Sequence, residues 1–393
     1  MVPAETTGRI EPTWLDRPGE VAVDLVAEIS AAAAALEAQL HPRTRKSLAK
    51  LVRVVESHYS HLIEGRPFRP VDIDSALESP ALCDERRESL FEALAHVRVQ
   101  AEIDERYREG VLGEAADLSF LRWIHRAFYE GAPESLLRIE GASPPFRMVP
   151  GELRNAYEVA VGLHQPPSSE RLTDFMNYFA QRYRFEGMGR SKRIFNMATA
   201  HHRFAYIHPF PDGNGRVGRL MSHAMALAAG IGAQGLWSIS RGLARGLGDR
   251  SEYKRMMNHS DMPRQGDLDG RGNLSERALR EFVEWFLRVA LDQIQFMHGL
   301  FEPDTFFARL QVYIERDLAL RPEARAIAEH VVLRGSMARG EAARVSGLGE
   351  RVARDLLATL IDRGLLLSDT PKGPVHFNVR VEAAEVLFPR ISD

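Results

Sequence analysis

Apolar positions recur at spacings of three and four along most of the chain, the signature of helices with one buried face. From Glu20 to Leu40 the residues are mainly Val, Leu, Ala, Ile and Glu, and a helix is expected there. A second is expected from about Thr44 to Leu62, with Leu48, Leu51, Val52, Val55, Tyr59 and Leu62 on its apolar face. Gly65 and Pro67 then supply a stop. Similar patterns cover roughly 70–104, 114–129, 170–186, 191–206, 214–229, 249–258 and 275–301. The stretch 138–168 breaks the rhythm with Ser-Pro-Pro, Pro-Gly and Gln-Pro-Pro around a β-leaning piece, Tyr157 to Val161, and reads as a hairpin or flap.

After Pro303 the texture changes. Helical pieces at about 305–320, 323–334, 338–345 and 349–363 precede Leu365 to Leu367, a turn at Asp369 to Gly373, and Val375 to Val379. Short helices followed by a two-stranded ribbon make a winged-helix pattern. The expected fold is therefore mainly α, with a β-hairpin flap and a winged-helix-like C-terminal domain. The expected division is 1–113, 114–302 and 303–393.

Composition narrows the class. A 45% hydrophobic content supplies a core, and 51 basic against 54 acidic residues leave −3, which disfavours a protein that coats nucleic acid. The most apolar stretch, Leu220 to Trp237, holds three glycines with His223 and Gln234, so it reads as buried helix ending in a loop and no membrane partner is expected. The single cysteine, Cys83, has no partner for an internal disulfide, and Met1 to Thr7 lacks a basic-then-apolar leader. A cytoplasmic protein is expected.

The chemistry concentrates in Ile207 to Arg219. A helix enters a proline-bounded turn, and a glycine-rich loop opens the next helix. Free N–H groups at that helix start form an anion nest, and Gly213 and Gly215 let the main chain approach a phosphate. Arg216 and Arg219, one turn apart, suit a polyphosphate. Asp212 offers a hard oxygen to the Mg²⁺ that accompanies a nucleotide, and His208 is the group able to accept a proton near neutrality. Together they suggest phosphoryl or nucleotidyl transfer from a nucleoside triphosphate. Gly213 to Gly218 also fits a dinucleotide fingerprint, but no β-α-β unit surrounds it. A plain tight turn leaves the arginines and histidine unexplained.

His208 to Arg219 resembles the signature of Fic-domain proteins, H-P-F-x-[DE]-G-N-G-R-x-x-R, at every defined position. Pro150 to Arg154, Val161-Gly162 and Pro166-Pro167 are similar to the family's target-holding flap, and Glu252-Tyr253 and Gly270 to Leu274 to later landmarks. The resemblance covers roughly 115–300. It implies a Fic-type helical core and transfer of AMP from ATP, with Mg²⁺, to a Tyr, Ser or Thr hydroxyl of a target protein. By position, His208 would take the hydroxyl proton and Asp212 would hold Mg²⁺. Asn214 with the amides of Gly213 and Gly215 would steady the α-phosphate, Arg216 and Arg219 would bind the β- and γ-phosphates, and Tyr253 would either stack on adenine or serve as a buried core tyrosine.

Upstream, Ser60 to Gly65 resembles the Fic inhibitory motif, [ST]-x-x-x-E-[GN]. A Glu64 carboxylate against Arg219 would take the donors that the γ-phosphate needs, with Ser60 one turn earlier on the same face. Alternatives at the same site are AMP removal with Glu64 aligning water, or transfer of UMP or another phosphate group. From a different class, the chain would be a nucleotide-sensing, DNA-binding regulator.

His201 and His202 lack zinc spacing and are expected in core or supporting roles. Asp267 to Gly272 mimics a calcium loop, but the twelfth position would be Ala278. Between Arg321 and Gly364 eight arginines meet six acids, which favours packing, dimer or target docking over DNA. The resemblance admits a homodimer.

Overall fold

The computed structural model describes residues 5–78, 84–141, 144–155, 158–160 and 164–392. Cys83 lies outside them. The described residues are mostly helical, with two small antiparallel hairpins among them. Its first long helices are α1 (Glu20–Ala38) and α2 (Pro42–Ile63). In α2, Pro42 sits in the first turn and the His41 ring accepts from Arg43 N–H, so proline geometry and a side-chain cap start the helix together. It stops at Gly65, whose φ of 77° is a left-handed conformation that glycine adopts without strain. Next come α3 (Pro70–Glu78), α4 (Asp84–Arg108), α5 (Leu118–Tyr129) and the single turn α6 (Glu134–Leu137).

A hairpin follows, of β1 (Arg138–Ile139) and β2 (Phe146–Arg147), in register Arg138 to Arg147. The flap therefore takes its strand pairing from its first residues. Glu158–Ala160 are irregular, and Tyr157 and Val161 of the expected β-leaning piece lie outside the described residues.

The centre is built by α7 (Leu172–Tyr183), α8 (Arg190–Ile207) and α9 (Asn214–Ala228). From Asn196 to Phe204 every residue of α8 is buried. It meets α9 closely, because a Cβ on Gly218 would lie 3.2 Å from the Phe204 ring. Beyond them lie α10 (Ile239–Arg245), α11 (Glu252–Ser260) and the long α12 (Glu276–Phe301), along which α1 packs. The sequence pattern does not predict α10. Its Gly242 reads as a breaker, but a Cβ there would lie 2.5 Å from Val289 Cγ1, so the glycine lets α10 approach α12. Ser238 caps it by accepting from Arg241 N–H at 2.9 Å.

The C-terminal part holds α13 (Pro303–Val312), a π-helical turn (Tyr313–Asp317), α14 (Glu323–Arg334), α15 (Ala342–Ser346) and α16 (Glu350–Asp362). The hairpin of β3 (Leu366–Ser368) and β4 (Val375–Phe377) follows, then the short α17 (Ala384–Leu387). This part is bound to the start of α2. Thr44 Oγ1 donates to the Val332 carbonyl at 2.7 Å, and Arg43 pairs with Asp369 at 2.5 Å. The α2 helix thus runs from the C-terminal part at one end to Glu64 at the other. No helix among the described residues is long and apolar enough to cross a membrane.

Candidate active site

The loop between α8 and α9 is held in shape by its own residues. His208 ends α8 in a left-handed conformation, φ 50° and ψ 61°, which turns the chain and sends the next residues back toward α9. Asn214 then closes the loop: its Oδ1 accepts from Phe210 N–H at 2.9 Å, and its Nδ2 donates to the Phe210 carbonyl at 2.8 Å. Gly213, at φ 79°, precedes α9 with no side-chain cap, so the helix starts with uncapped N–H groups.

His208 is half-buried. Burial, with the Arg154 guanidinium nearby, pushes its pKa down to about 4, against a hydrogen bond to the Ala205 backbone that acts the other way. At neutral pH the ring is therefore uncharged and able to accept a proton. Arg154, itself 1% exposed, donates from Nε to the His208 carbonyl at 2.9 Å and from Nη2 to the Pro167 carbonyl. Its backbone N–H donates to the Pro209 carbonyl at 2.9 Å. One arginine thus joins the loop to both described edges of the flap.

Asp212 is set by α5. The Tyr129 hydroxyl donates to Asp212 Oδ2 at 3.1 Å, and His125 Nε2 donates to the Asp212 carbonyl at 3.2 Å. His125 Nδ1 accepts from Gly151 N–H at 2.7 Å, which fixes the neutral tautomer, and burial lowers that ring to about 4. Arg216 Nη2 donates to the same Oδ2 at 2.8 Å. Among the described residues Oδ1 takes no hydrogen bond, so Asp212 could offer a divalent cation a single hard oxygen ligand. Among the described residues no group of three or more acidic, His or Cys side chains gathers to hold a metal by itself.

The two arginines have different carboxylate partners. Arg219, 1% exposed, donates from Nη2 to Glu64 Oε1 at 2.7 Å and to the Ser60 carbonyl at 3.0 Å, and from Nε to Ser60 Oγ at 2.8 Å. Burial raises the Glu64 carboxyl, but Arg219 more than offsets this and holds it below its ordinary value. Glu64 Oε1 also lies over the start of α9, where a Cβ on Gly215 would approach it to 2.3 Å. An anion therefore occupies the helix N-terminus and the guanidinium together. Arg216 contacts Glu92 of α4, a residue that sequence reasoning passed over. Burial lowers the Arg216 pKa to about 10, still charged at neutral pH.

Tyr253 stands beside a cavity of about 380 Å³ lined by Leu62, Ile63, Leu243, Ala244, Arg250 and Lys254 among others. A proton chain aims it: Tyr253 O–H donates to His201 Nε2 at 2.9 Å, His201 Nδ1 to Ser222 Oγ at 2.8 Å, and Ser222 O–H to the Gly218 carbonyl at 2.9 Å. His201 is thus a supporting residue. His202 lies 3.1 Å from Asp261 and 3.1 Å from the Met257 carbonyl. In the loop that mimics a calcium site, the Asp269 carboxylate accepts from Gln265 N–H, Arg277 N–H and Ser275 Oγ at 2.8, 2.9 and 3.0 Å, so its oxygens serve the turn before α12.

Residues 115–226 match the Fic/DOC family. The protein adenylyltransferase Fic of Aedes aegypti is 38% identical over 86 residues, 20% of this chain and 16% of that protein. The protein adenylyltransferase Fic of Nematostella vectensis is 38% identical over 74 residues, 19% of this chain and 17% of that protein. The match thus spans less than a fifth of either relative's length. Among solved structures, a Fic family protein from Desulfovibrio desulfuricans G20 aligns over 93% of this chain and 98% of its own, with TM-score 0.53 and 16% identity. A Fic domain containing signaling protein from Bacteroides thetaiotaomicron covers 69% of this chain and 97% of its own, with TM-score 0.50 and 17% identity. At such identities the likeness is one of fold.

Proposed function

We propose that the chain, which matches the Fic/DOC family over residues 115–226, is an autoinhibited protein adenylyltransferase, moving AMP from ATP to a Tyr, Ser or Thr hydroxyl of a target protein. The observation that carries this reading is the meeting of a neutral His208, the uncapped start of α9 and the guanidiniums of Arg216 and Arg219 in one site. We assign 1–113 to the inhibitory helical region, 114–302 to the catalytic core and 303–393 to a winged-helix-like C-terminal domain.

In the reaction, the His208 imidazole takes the proton of the target hydroxyl. The hydroxyl oxygen attacks the α-phosphorus, the bond to the bridging oxygen breaks, and pyrophosphate leaves with that electron pair. Gly213, Asn214 and Gly215 steady the α-phosphate with the α9 N-terminus, and Arg216 and Arg219 take the β- and γ-phosphates. Mg²⁺, held by Asp212, supplies charge neutralisation among the phosphates when bound. Tyr253 lines the cavity that takes the base. The Arg154 clamp supports this reading because it fixes the backbone of the residue that carries the base.

Glu64 is the brake. Seated on Arg219 and over Gly215, its carboxylate takes the place of a phosphate oxygen, with Ser60 holding the rest of the guanidinium. The test is intact-protein mass spectrometry after incubation with ATP and Mg²⁺. Added AMP on Glu64→Gly, absent from wild type and from Glu64→Gly with His208→Ala, is the expected result. No adduct on any of the three overturns the transferase reading.

A further inference from the structure

The α4 helix carries a buried polar row that the proposed chemistry does not use. Glu92, His96, Gln100 and Asp104 follow one another at four-residue steps, each no more than 5% exposed. Four-residue spacing places them along one face of the helix. Both ends of the row are charged and both meet α9. Glu92 contacts Arg216 Nη1, and Asp104 Oδ1 lies 2.7 Å from His223 Nε2. Arg53 of α2 joins Asp104 at 2.8 Å, and Arg66 joins the second oxygen of Glu92 at 3.0 Å. Between the ends, His96 and Gln100 have no hydrogen-bond partner among the described residues.

Arg216 and His223 are two helical turns apart, so α4 fastens α9 at two points and thereby sets where its first turn stands. At the upper point the guanidinium is boxed in. Its side chain is 7% exposed, with the Phe128 and Tyr129 rings 5.4 and 5.7 Å away, Glu92 on Nη1 and Asp212 on Nη2.

From this arrangement we infer that Glu92 is a positioning residue that holds Arg216 aimed at the phosphate site in every state of the enzyme, as distinct from Glu64, which holds Arg219 only while the site is closed. The inference rests on the adenylyl-transfer reading and deepens it. Burial separates the two carboxylates. Glu64 is 38% exposed, at the last turn of α2 against Gly65, and leaves Arg219 by moving a helix end. Glu92 is 5% exposed, well inside a helix of 25 residues, and leaves Arg216 only if α4 and α9 separate. A buried guanidinium stripped of that partner is left with Asp212 alone, the carboxylate the cation needs, and is drawn further onto it.

The test compares Glu64→Gly with the double variants Glu64→Gly/Glu92→Gln and Glu64→Gly/Glu92→Asp, by initial rates of AMP transfer and by calorimetric titration with MgATP. Circular dichroism and melting temperature report folding. Glu92→Gln should raise KM and Kd for MgATP by about tenfold, the scale of one misdirected charge-assisted contact, with kcat changed about threefold or less. Glu92→Asp should recover part of the affinity. Equal affinity in all three proteins overturns the inference. Transfer by Glu92→Gln with Glu64 intact also overturns it and makes Glu92 a second brake. Should Glu92→Gln not fold, the Asp variant decides alone, since an unchanged KM there is equally contrary. Absence of transfer in Glu64→Gly itself would count against the transferase reading, while the titrations still decide the role of Glu92.

Discussion

The Arg154 Nε donates to the His208 carbonyl at 2.9 Å, so the His208 backbone is fixed from the flap as well as from α8. The same guanidinium holds the Pro167 carbonyl from a side chain that is 1% exposed. Replacing it by Ala strands two carbonyls that water does not readily reach, at a cost of about 1–3 kcal/mol for each. Arg154→Ala, made on Glu64→Gly, should lower the melting temperature and reduce transfer by at least about tenfold through misplacement of the base. MgATP affinity should stay close to that of the parent. Arg154→Lys should not restore the rate, because a single ammonium lacks the fork that spans both carbonyls.

In the proposed role of His208, protonation would abolish its capacity to accept the target's proton, and its pKa stands at about 4. The rate of Glu64→Gly should therefore be level from about pH 8 to pH 5 and fall toward pH 4, below the range of an ordinary histidine. Stability has a different pH dependence. His61 and His201 at about 3, with His125 and His208 at about 4, stay neutral in the fold and charge in the unfolded chain. The unfolded state then binds more protons below the ordinary histidine value, so stability falls as pH falls from about 6.5. Calorimetry at pH 7.5 and 5.5 should show a lower melting temperature at 5.5, while short assays at 25 °C keep the level rate.

The Glu64 carboxyl is held below its ordinary value by Arg219, so the proposed brake should be present above that value and be lost only as pH falls through the lowered one. Wild type should remain silent down to pH 5. Ser60 is the weaker half of the same contact, through Oγ at 2.8 Å and its carbonyl at 3.0 Å. Ser60→Ala removes only the first of these, and leaves one buried N–H of Arg219 without a partner. Its transfer rate should lie between wild type and Glu64→Gly. A rate equal to wild type would mean that Glu64 holds Arg219 without help.

Local chemistry explains why so much was legible in the chain. His208 to Arg219 is a contiguous loop and helix start, so its residues are neighbours in sequence and in space, and the pairing of Glu64 with Arg219 follows from one recognisable motif. Glu92 was not legible. Its partner is more than a hundred residues away, and a glutamate in a helix ordinarily faces water. The signal that was present, polar residues at 92, 96, 100 and 104, requires knowing that this face of α4 is covered. The α10 helix was missed for a related reason, since Gly242 is a breaker locally and a close-contact residue only once Val289 is beside it. Asn214, expected at the α-phosphate, also closes the loop through its amide bonds to Phe210, a local role that the motif's spacing of four residues permits.

Gly215 offers a way to dislodge the proposed brake without touching it. The residue lies in the first turn of α9, so alanine is compatible with its backbone and favours the helix by up to about 1 kcal/mol. The added Cβ would stand 2.3 Å from Glu64 Oε1 and 3.0 Å from Arg219 Nη1. Of the two, the glutamate has the freer side chain, 38% exposed against 1%, so Glu64 moves and the pair opens. With Glu64 present, Gly215→Ala should raise transfer above wild type. On Glu64→Gly the carboxylate is already gone, and the same methyl only crowds the anion cradle, so transfer should fall or stay level. The two effects differ in sign, and a double-mutant cycle on initial rates reads the coupling directly. Additive effects would mean that the Glu64 carboxylate does not compete for the space above Gly215.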